Sequence, residues 1–154
     1  MSTRTQVGFI SPNYVEGKKG KNNKKYERLL YFHCDGYPSG ILPYLVPFLL
    51  AFKKERGLED ISYCSAWLMY HMIKFRDCGY EKLEDADFLS HGIDDCIHTD
   101  IEYFYEIYPN KLNVYGVNKV FANSTFRGDL LKEISLEKNI DEFTLQLVIE
   151  SMEE

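Results

Sequence analysis

Two short motifs of the same form contain the residues best suited to chemistry. They are His33-Cys34-Asp35 and His98-Thr99-Asp100. A neutral imidazole and an ionised carboxylate are ordinary metal ligands and proton carriers, so two such pairs within reach of each other would suit a divalent metal or acid–base catalysis. The plainer interpretation is that each side chain hydrogen-bonds the backbone of its own turn. Whether the two motifs meet in space decides between the two interpretations.

Further candidates lie beside these motifs. The segment Asp35-Gly36-Tyr37-Pro38 predicts a turn in which Gly36 supplies a positive φ. Tyr37 and the backbone amides before the next helix could hold an anionic group. His91 could join the site if its loop folds over the sheet.

Aromatic residues could widen such a site. Tyr103 and Tyr105 offer rings and hydroxyls that could stack on a base or sugar, although alternating aromatics are also typical of strand packing. His71 lies on the apolar side of the second predicted helix, where we expect a histidine at the boundary of the core and not a ligand-binding residue.

The elements that position these residues follow from side-chain periodicity. Thr5 to Ile10 and Tyr26 to His33 read as two strands of a hairpin whose long tip, Ser11 to Lys25, is rich in lysine. Ile101 to Tyr108 alternates strictly, turns at Pro109-Asn110 and returns through Val117, which predicts a second hairpin. Between Tyr80 and Asp100 the pattern predicts an acidic loop with one short helical turn.

Helical spacing appears in two central segments. Ile41 to Phe52 predicts one helix, with Pro43 in its first turn and Pro47 implying a bend, and Asp60 to Asp77 predicts a second, which should be the most buried helix. A helical turn is expected after Asp129. The last segment, from Asp141 to Met152, is a helix capped by Asp141 or, as the alternative, a strand.

Together these elements predict a single α+β domain over residues 1–154. We expect an antiparallel sheet of four to five strands, made of two hairpins and covered on one face by two or three helices. If the second and third strands are neighbours and antiparallel, both His-x-Asp motifs lie at the same end of the sheet.

Composition excludes several classes of protein. The chain is 45% hydrophobic and 15% aromatic, which predicts a packed core rather than disorder. Its net charge of −6 argues against nucleic acid as a partner. No apolar run is long enough to span a membrane and no export signal is visible, so we expect a soluble, cytoplasmic protein. The four cysteines form no C-x-x-C pair and are expected to be buried free thiols, with no metal site predicted from them.

The charge is unevenly distributed. Six basic residues and only one acidic residue lie from Lys18 to Arg28, whereas nine acidic residues and only Lys82 lie from Glu81 to Glu106. Solvated faces explain both segments most simply, but either could serve as a contact surface.

The segment Tyr31-Phe32-His33-Cys34-Asp35-Gly36-Tyr37-Pro38, with the opening Met1-Ser2-Thr3-Arg4, resembles small phage, prophage and other prokaryotic proteins of unassigned function. Those proteins tend to open with M-S-T-R and to carry Y-x-H-W-D-G-Y-P after an early strand. The later stretch from Gly92-Ile93 to His98-x-Asp100-Ile101-Glu102-Tyr103 is similar to a recurring piece in some of them. Cys34 departs from the usual Trp, which removes an aromatic ring from that position. The resemblance implies a mobile-element context, in which small proteins often inhibit or sequester components of host defence.

These observations favour a binding protein without catalysis, a phage-type accessory factor whose ligand is a small polar, nucleotide-like molecule or a host protein. The expected ligand-binding residues are His33, Asp35, Tyr37, His91, His98, Asp100, Tyr103 and Tyr105. One alternative is a hydrolase, metal-assisted or using His and Asp as acid and base. Another is a structural interaction module. The sequence leaves cofactors and oligomeric state open.

Overall fold

The computed structural model describes residues 2–20, 22–120 and 126–153. Within them the chain forms an α+β fold with a six-stranded mixed sheet and three α-helices. Met1 and Lys21, which belong to the M-S-T-R opening and to the basic segment, lie outside the described residues.

The two predicted hairpins are confirmed. The first joins β1 (Thr5–Ile10) to β2 (Tyr26–Phe32), and the second joins β4 (Tyr103–Ile107) to β5 (Lys111–Val120). Both pair antiparallel. Apolar and polar side chains alternate along each of these strands, so each strand has one face to bury. The local sequence was therefore sufficient to predict both hairpins.

Two further strands make the sheet larger than predicted. β3 (His91–Asp94) lies in the segment expected to be an acidic loop, and β6 (Phe126–Ser135) replaces the helical turn expected after Asp129. Neither strand presents a clear buried face, because β3 is half-exposed and most described side chains of β6 are exposed. Each is recruited as an edge strand by a neighbour that already has a buried face.

The predicted antiparallel arrangement is also wrong at one position. The strand order is β3-β2-β1-β4-β5-β6, and β1 pairs with β4 in parallel. The second hairpin therefore docks beside β1 and not beside β2. β1 becomes a central strand, and five of its six residues are buried.

The helices cover one face of the sheet. α1 is Pro38–Glu55, α2 is Ile61–His71, and α3 is Glu142–Met152. Both Pro43 and Pro47 lie inside α1. The helix alternative for the last segment is confirmed, since the Asp141 side chain accepts a hydrogen bond from Thr144 N at 2.7 Å.

The second helix differs from its prediction. After His71 it continues as a π-helix, Met72–Arg76, and it is not the most buried helix. Cys64, Leu68 and Met72 are buried, but an outer stripe of aromatic side chains is exposed: Tyr63, Trp67, Tyr70 and Phe75. Apolar residues all round a helix predict burial only when a second layer covers them, and here that layer is absent among the described residues.

A smaller apolar cluster occupies the opposite face of the sheet. There Ile97 and Ile101 pack against side chains of the sheet, namely Tyr26, Leu29 and Phe104. Residues 95–102 therefore form a strap across that face. The side chains of each strand alternate between the helix side and the strap side, and this alternation sorts the candidate site residues.

Candidate functional site

The two His-x-Asp motifs do lie at the same end of the sheet. Phe32 at the end of β2 and Tyr103 at the start of β4 both stand opposite Thr5 of β1. The reason differs from the predicted one, because β1 separates the two strands. An antiparallel partner on one side and a parallel partner on the other bring the end of one strand and the start of the other to the same edge.

His33 and His98 meet on the strap side, where both contact Tyr31. The rings of Tyr31 and His98 stack with centroids 4.4 Å apart, and the Tyr31 and His33 centroids are 6.1 Å apart. The Tyr31 hydroxyl also lies 2.9 Å from His33 Nδ1. Because both distances are measured to the Tyr31 ring, the distance between the two imidazole centroids cannot exceed their sum.

Charged side chains contact both histidines. We call the whole cluster the outer corner; it consists of Arg4, Tyr31, His33, Asp94, His98 and Asp100. Arg4 Nε donates to His33 Nδ1 at 3.4 Å, and Arg4 Nη1 lies 3.4 Å from Asp100 Oδ2. His98 Nε2 lies 3.0 Å from Asp94 Oδ2. The side chains are thus paired with one another, which is the expected behaviour of a structural network.

Gln6 shows what the outer corner holds in place. It is fully buried, donates to Asp94 Oδ2 at 2.8 Å and to the Cys96 carbonyl at 3.1 Å, and accepts from His98 N at 2.9 Å. These bonds tie the start of the strap to the central strand. The outer corner is accordingly best explained as the fastening of the strap.

Asp35 and His91 lie instead on the helix side, at a cavity of about 490 Å³. His91 is opposite Phe32 in the sheet, and its ring packs edge-on against the Phe32 ring at 5.7 Å. The polar residues that line this helix-side cavity include Cys34, Asp35, Arg76, Asp77, Asp87 and His91. The predicted site residues are therefore divided between two faces of the sheet.

Arg76 and Asp77 organise the helix-side cavity, although no motif in the sequence distinguishes them. The Arg76 side chain is 6% exposed, and its Nε donates to Asp77 Oδ1 at 2.9 Å. Its Nη2 donates to the Cys34 carbonyl at 3.0 Å and its Nη1 to the Asp35 carbonyl at 3.3 Å. The guanidinium thus connects the end of β2 to the end of the π-helix.

The second oxygen of Asp77 holds His91. His91 Nε2 lies 2.6 Å from Asp77 Oδ2, a short contact of the kind favoured when the acceptor is a carboxylate. The carboxylate must accept, so Nε2 carries the proton and Nδ1 is left as an acceptor when the ring is neutral. The imidazole is therefore held in one tautomer beside the cavity.

Unusual backbone conformations also converge on this cavity. The π-helix ends at Arg76, and such irregular helical turns are frequent at functional sites. In the described part of the chain, the non-glycine residues with positive φ are Asp35, at 54°, and Cys78, at 65°, and both line the cavity. Strained conformations of this kind cluster at binding and catalytic sites.

The charge of the cavity is negative. Its described lining contains three carboxylates, those of Asp35, Asp77 and Asp87. Arg76 is the one permanently cationic side chain in that lining. Hydrogen bonds from the Ser90 hydroxyl and then from Leu89 N hold the pKa of the Asp87 carboxyl below its usual value, so this group is ionised at neutral pH. A cationic or hydrogen-bond-donating ligand fits this field better than an anion.

The turn before α1 is built differently from its prediction. Asp35, not Gly36, takes the left-handed conformation. Gly36 is required for close packing, because a Cβ there would lie 2.6 Å from the Thr5 side chain and 2.8 Å from the Thr3 carbonyl. The amides at the start of α1 do face an anionic group, but it is the protein's own Glu153, whose Oε1 accepts from Ser39 N at 2.7 Å.

The three candidate tyrosines have different environments. Tyr105 is fully buried and its hydroxyl donates to the Gly36 carbonyl at 2.7 Å, so it cannot contact a surface ligand. Tyr103 is half-buried and packs against the main core. Tyr37 is 38% exposed, and the neighbouring Asp35 carboxylate, which accepts from its hydroxyl at 3.4 Å, raises its pKa.

His71 and the cysteines complete the predictions about reactive side chains. The His71 ring lies between the rings of Phe48 and Phe75, at 5.3 and 5.2 Å, and burial lowers its pKa. All four cysteines are free, but only Cys64 is buried, and burial raises its pKa to about 12. Cys78 and Cys96 are exposed, so burial was wrong for those two.

Within the described ranges, no group of three or more His, Cys, Asp or Glu side chains is arranged to hold a metal ion. No helix in the described part of the chain is long and apolar enough to cross a membrane. Comparisons of the chain with protein-family models, with curated proteins and with solved structures find no match.

Proposed function

We propose that this protein binds a small polar ligand in the helix-side cavity, without catalysis. The observation that carries the proposal is the convergence of a π-helix, two left-handed non-glycine residues and the Arg76–Asp77–His91 network on one cavity of about 490 Å³. This volume falls in the range of small-molecule sites.

The chemistry of the lining narrows the class of ligand. Asp35 and Asp87 offer carboxylate acceptors, and the exposed rings of Tyr80 and Phe88 stand at the same cavity. A neutral, planar molecule with amino groups would stack on the rings and donate to the carboxylates. Among nucleotide-like molecules, this favours the base or nucleoside over the phosphate.

A thermal-shift titration with nucleosides and their monophosphates tests the proposal, because a ligand held only by the folded state raises the melting temperature. We expect at least one nucleoside to stabilise the protein more than its monophosphate does. His91→Gln and Asp87→Asn should reduce this shift. His98→Gln, which changes a histidine of the outer corner, is the matched control and should not.

Two results would contradict the proposal. One is the absence of any shift with saturating nucleosides. The other is a shift that His98→Gln abolishes and His91→Gln leaves intact, because the outer corner would then be the site.

A protein partner is the second candidate. Its specific support is the set of large apolar side chains that the acidic segment exposes, of which Phe88 lines the cavity: Leu83, Phe88, Leu89 and Ile93. Apolar side chains inside an acidic rim are typical of an interface for a basic, partly apolar surface. This reading fits the phage-type accessory role that the sequence resemblance implies. Pull-down from host extract with wild type and with Phe88→Ser/Leu89→Ser tests it, and equal capture by both would contradict it.

A further inference from the structure

A second polar site lies on the strap side of the sheet, beneath the lysine-rich loop. At its centre is Glu106 of β4, which is 1% exposed. The Tyr26 hydroxyl donates to its Oε2 at 2.6 Å, and Asn113 Nδ2, directly opposite in β5, donates to its Oε1 at 3.3 Å. A carboxylate buried to this extent is unfavourable unless cations and donors surround it.

The cation beside Glu106 is a side chain of the loop. Lys25 Nζ lies 3.7 Å from Glu106 Oε2, which is an ion-pair distance but longer than a good hydrogen bond. The same ammonium stands 5.6 Å from the ring centroid of Tyr14 and 5.7 Å from that of Tyr26. A carboxylate flanked by aromatic rings is the arrangement that recognises alkylammonium groups.

The phenols around the carboxylate remain protonated. Burial, and after it the charge of Glu106, raises the pKa values of Tyr26, Tyr108 and Tyr115. The rings therefore stay neutral and act as donors or as aromatic faces. The negative charge of the site resides on Glu106.

Asn113 points to a missing donor. The residue is 6% exposed, and its Oδ1 has no hydrogen-bond partner among the described atoms. The amide orientation is set by its Nδ2, which must face the carboxylate. A buried acceptor without a donor is unfavourable, so Asn113 leaves one hydrogen-bonding position of this polar cluster unfilled, and Lys25 does not fill it.

The Lys25 side chain can leave without unfolding the loop. Its carbonyl accepts from Ser11 N at 2.8 Å, which fixes the backbone at the base of the loop, while the side chain is 39% exposed. Rotation of the side chain toward solvent would open the space between Tyr14 and Glu106. The Lys25 ammonium is thus an intramolecular ligand of this site, which an external ammonium group could displace.

We propose that this site, formed by Glu106, Asn113, Tyr14 and Tyr26, binds an alkylammonium group that displaces the Lys25 ammonium. The group is a primary or methylated amine, carried either by a free small molecule or by a lysine side chain of a peptide. This site lies on the opposite face of the sheet from the helix-side cavity and is independent of the function proposed there.

The test is an NMR titration of the folded protein with methylammonium, trimethylammonium, and the amide-blocked forms of lysine and trimethyl-lysine. Sodium chloride at equal ionic strength is the reference. We expect saturable shifts of the Tyr26 and Asn113 signals in wild type. Tighter binding of the blocked amino acids than of the free amines identifies a peptide lysine as the source, and the reverse identifies a small amine.

Three variants sharpen the test. Lys25→Met removes the competing ammonium and its ion pair with Glu106, so it should bind about tenfold more tightly, as expected when a self-bound state no longer competes. Lys24→Met, at the adjacent exposed lysine, should match wild type. Glu106→Gln should weaken binding at least tenfold, because it removes the charge.

The proposal is overturned if neither wild type nor Lys25→Met shows saturable shifts. It is also overturned if Glu106→Gln binds as well as wild type. Should Glu106→Gln fail to fold, Tyr14→Leu replaces it. Tyr14 is half-buried in the loop and belongs to neither apolar cluster, so the fold should tolerate its replacement. Loss of affinity for the methylated amines in Tyr14→Leu supports the site, and unchanged affinity excludes it.

Discussion

His91 Nε2 lies 2.6 Å from Asp77 Oδ2, and this contact joins the first residue of β3 to the residue that follows the π-helix. The same carboxylate accepts from Arg76 at both oxygens, from Nε to Oδ1 at 2.9 Å and from Nη2 to Oδ2 at 3.3 Å. One wall of the helix-side cavity is therefore supported by a single carboxylate with two partners.

Asp77→Asn should destabilise the fold. The change removes the charge that compensates Arg76, whose side chain is 6% exposed and which cannot lose its proton. We expect the free energy of unfolding to fall by about 3 kcal/mol, the usual cost of breaking a buried pair from one side. Urea denaturation measures it. Asp85→Asn, at an exposed carboxylate, is the control, and an equal effect of the two changes would refute the role of Asp77.

Gly36→Ala should be destabilising although Gly36 has no positive φ. The added Cβ would lie 2.6 Å from the Thr5 side chain, in a strand that is buried on both faces. We expect a loss of about 2 kcal/mol, typical of overpacking. Gly92→Ala is the matched control, since its Cβ would have no neighbour closer than 3.8 Å. Chemical denaturation of the two variants compares them, and equal stability would contradict the packing argument.

Tyr105→Phe tests the bond between the second hairpin and the turn before α1. The Tyr105 hydroxyl donates to the Gly36 carbonyl at 2.7 Å inside the core. Its removal leaves that carbonyl without this donor, which should cost about 1–2 kcal/mol in the free energy of unfolding. Tyr63→Phe, at an exposed hydroxyl, should have almost no effect in the same denaturation experiment. A neutral Tyr105→Phe would show that another donor reaches Gly36.

His71 should make stability depend on pH. Burial lowers its pKa in the folded protein below the ordinary value of 6.5, so between those two values the unfolded chain binds more protons than the folded one. Its contribution to stability is complete above pH 6.5 and is lost as the pH falls through the lowered pKa. Melting temperatures measured from pH 7.5 to pH 5 should therefore decline less steeply in His71→Gln than in wild type. Parallel curves would show that His71 does not titrate differently on folding.

Local patterns predicted part of the candidate site and missed its centre. His91 and Asp35 were found because histidine and aspartate in turns are visible as residue types. Arg76 and Asp77 were not, because a basic and an acidic residue at a helix end are common and only their partners distinguish them. Those partners lie just after β2 and in β3, as far as 42 positions away for the Arg76–Cys34 bond.

The amino-acid sequence by itself determined the elements whose side chains repeat with a regular period. These are the two hairpins and the two central helices, whereas the segment from Asp141 to Met152 was compatible with a capped helix or with a strand. This periodicity is a local property, because each strand or helix needs only one apolar face, and a few neighbouring residues are enough to form it.

Only the tertiary structure decided how these elements combine. The parallel pairing of Thr5 with Tyr103 places β4 beside β1, and no local pattern encodes a partner so far along the chain. This pairing brings the two His-x-Asp motifs to one edge. The alternation of strand side chains then places Tyr31 on the strap side, where it contacts His33 and His98, and His91 on the helix side. Strand pairing depends on the burial of both partners at once, and for that reason it is settled by the whole fold and not by either segment alone.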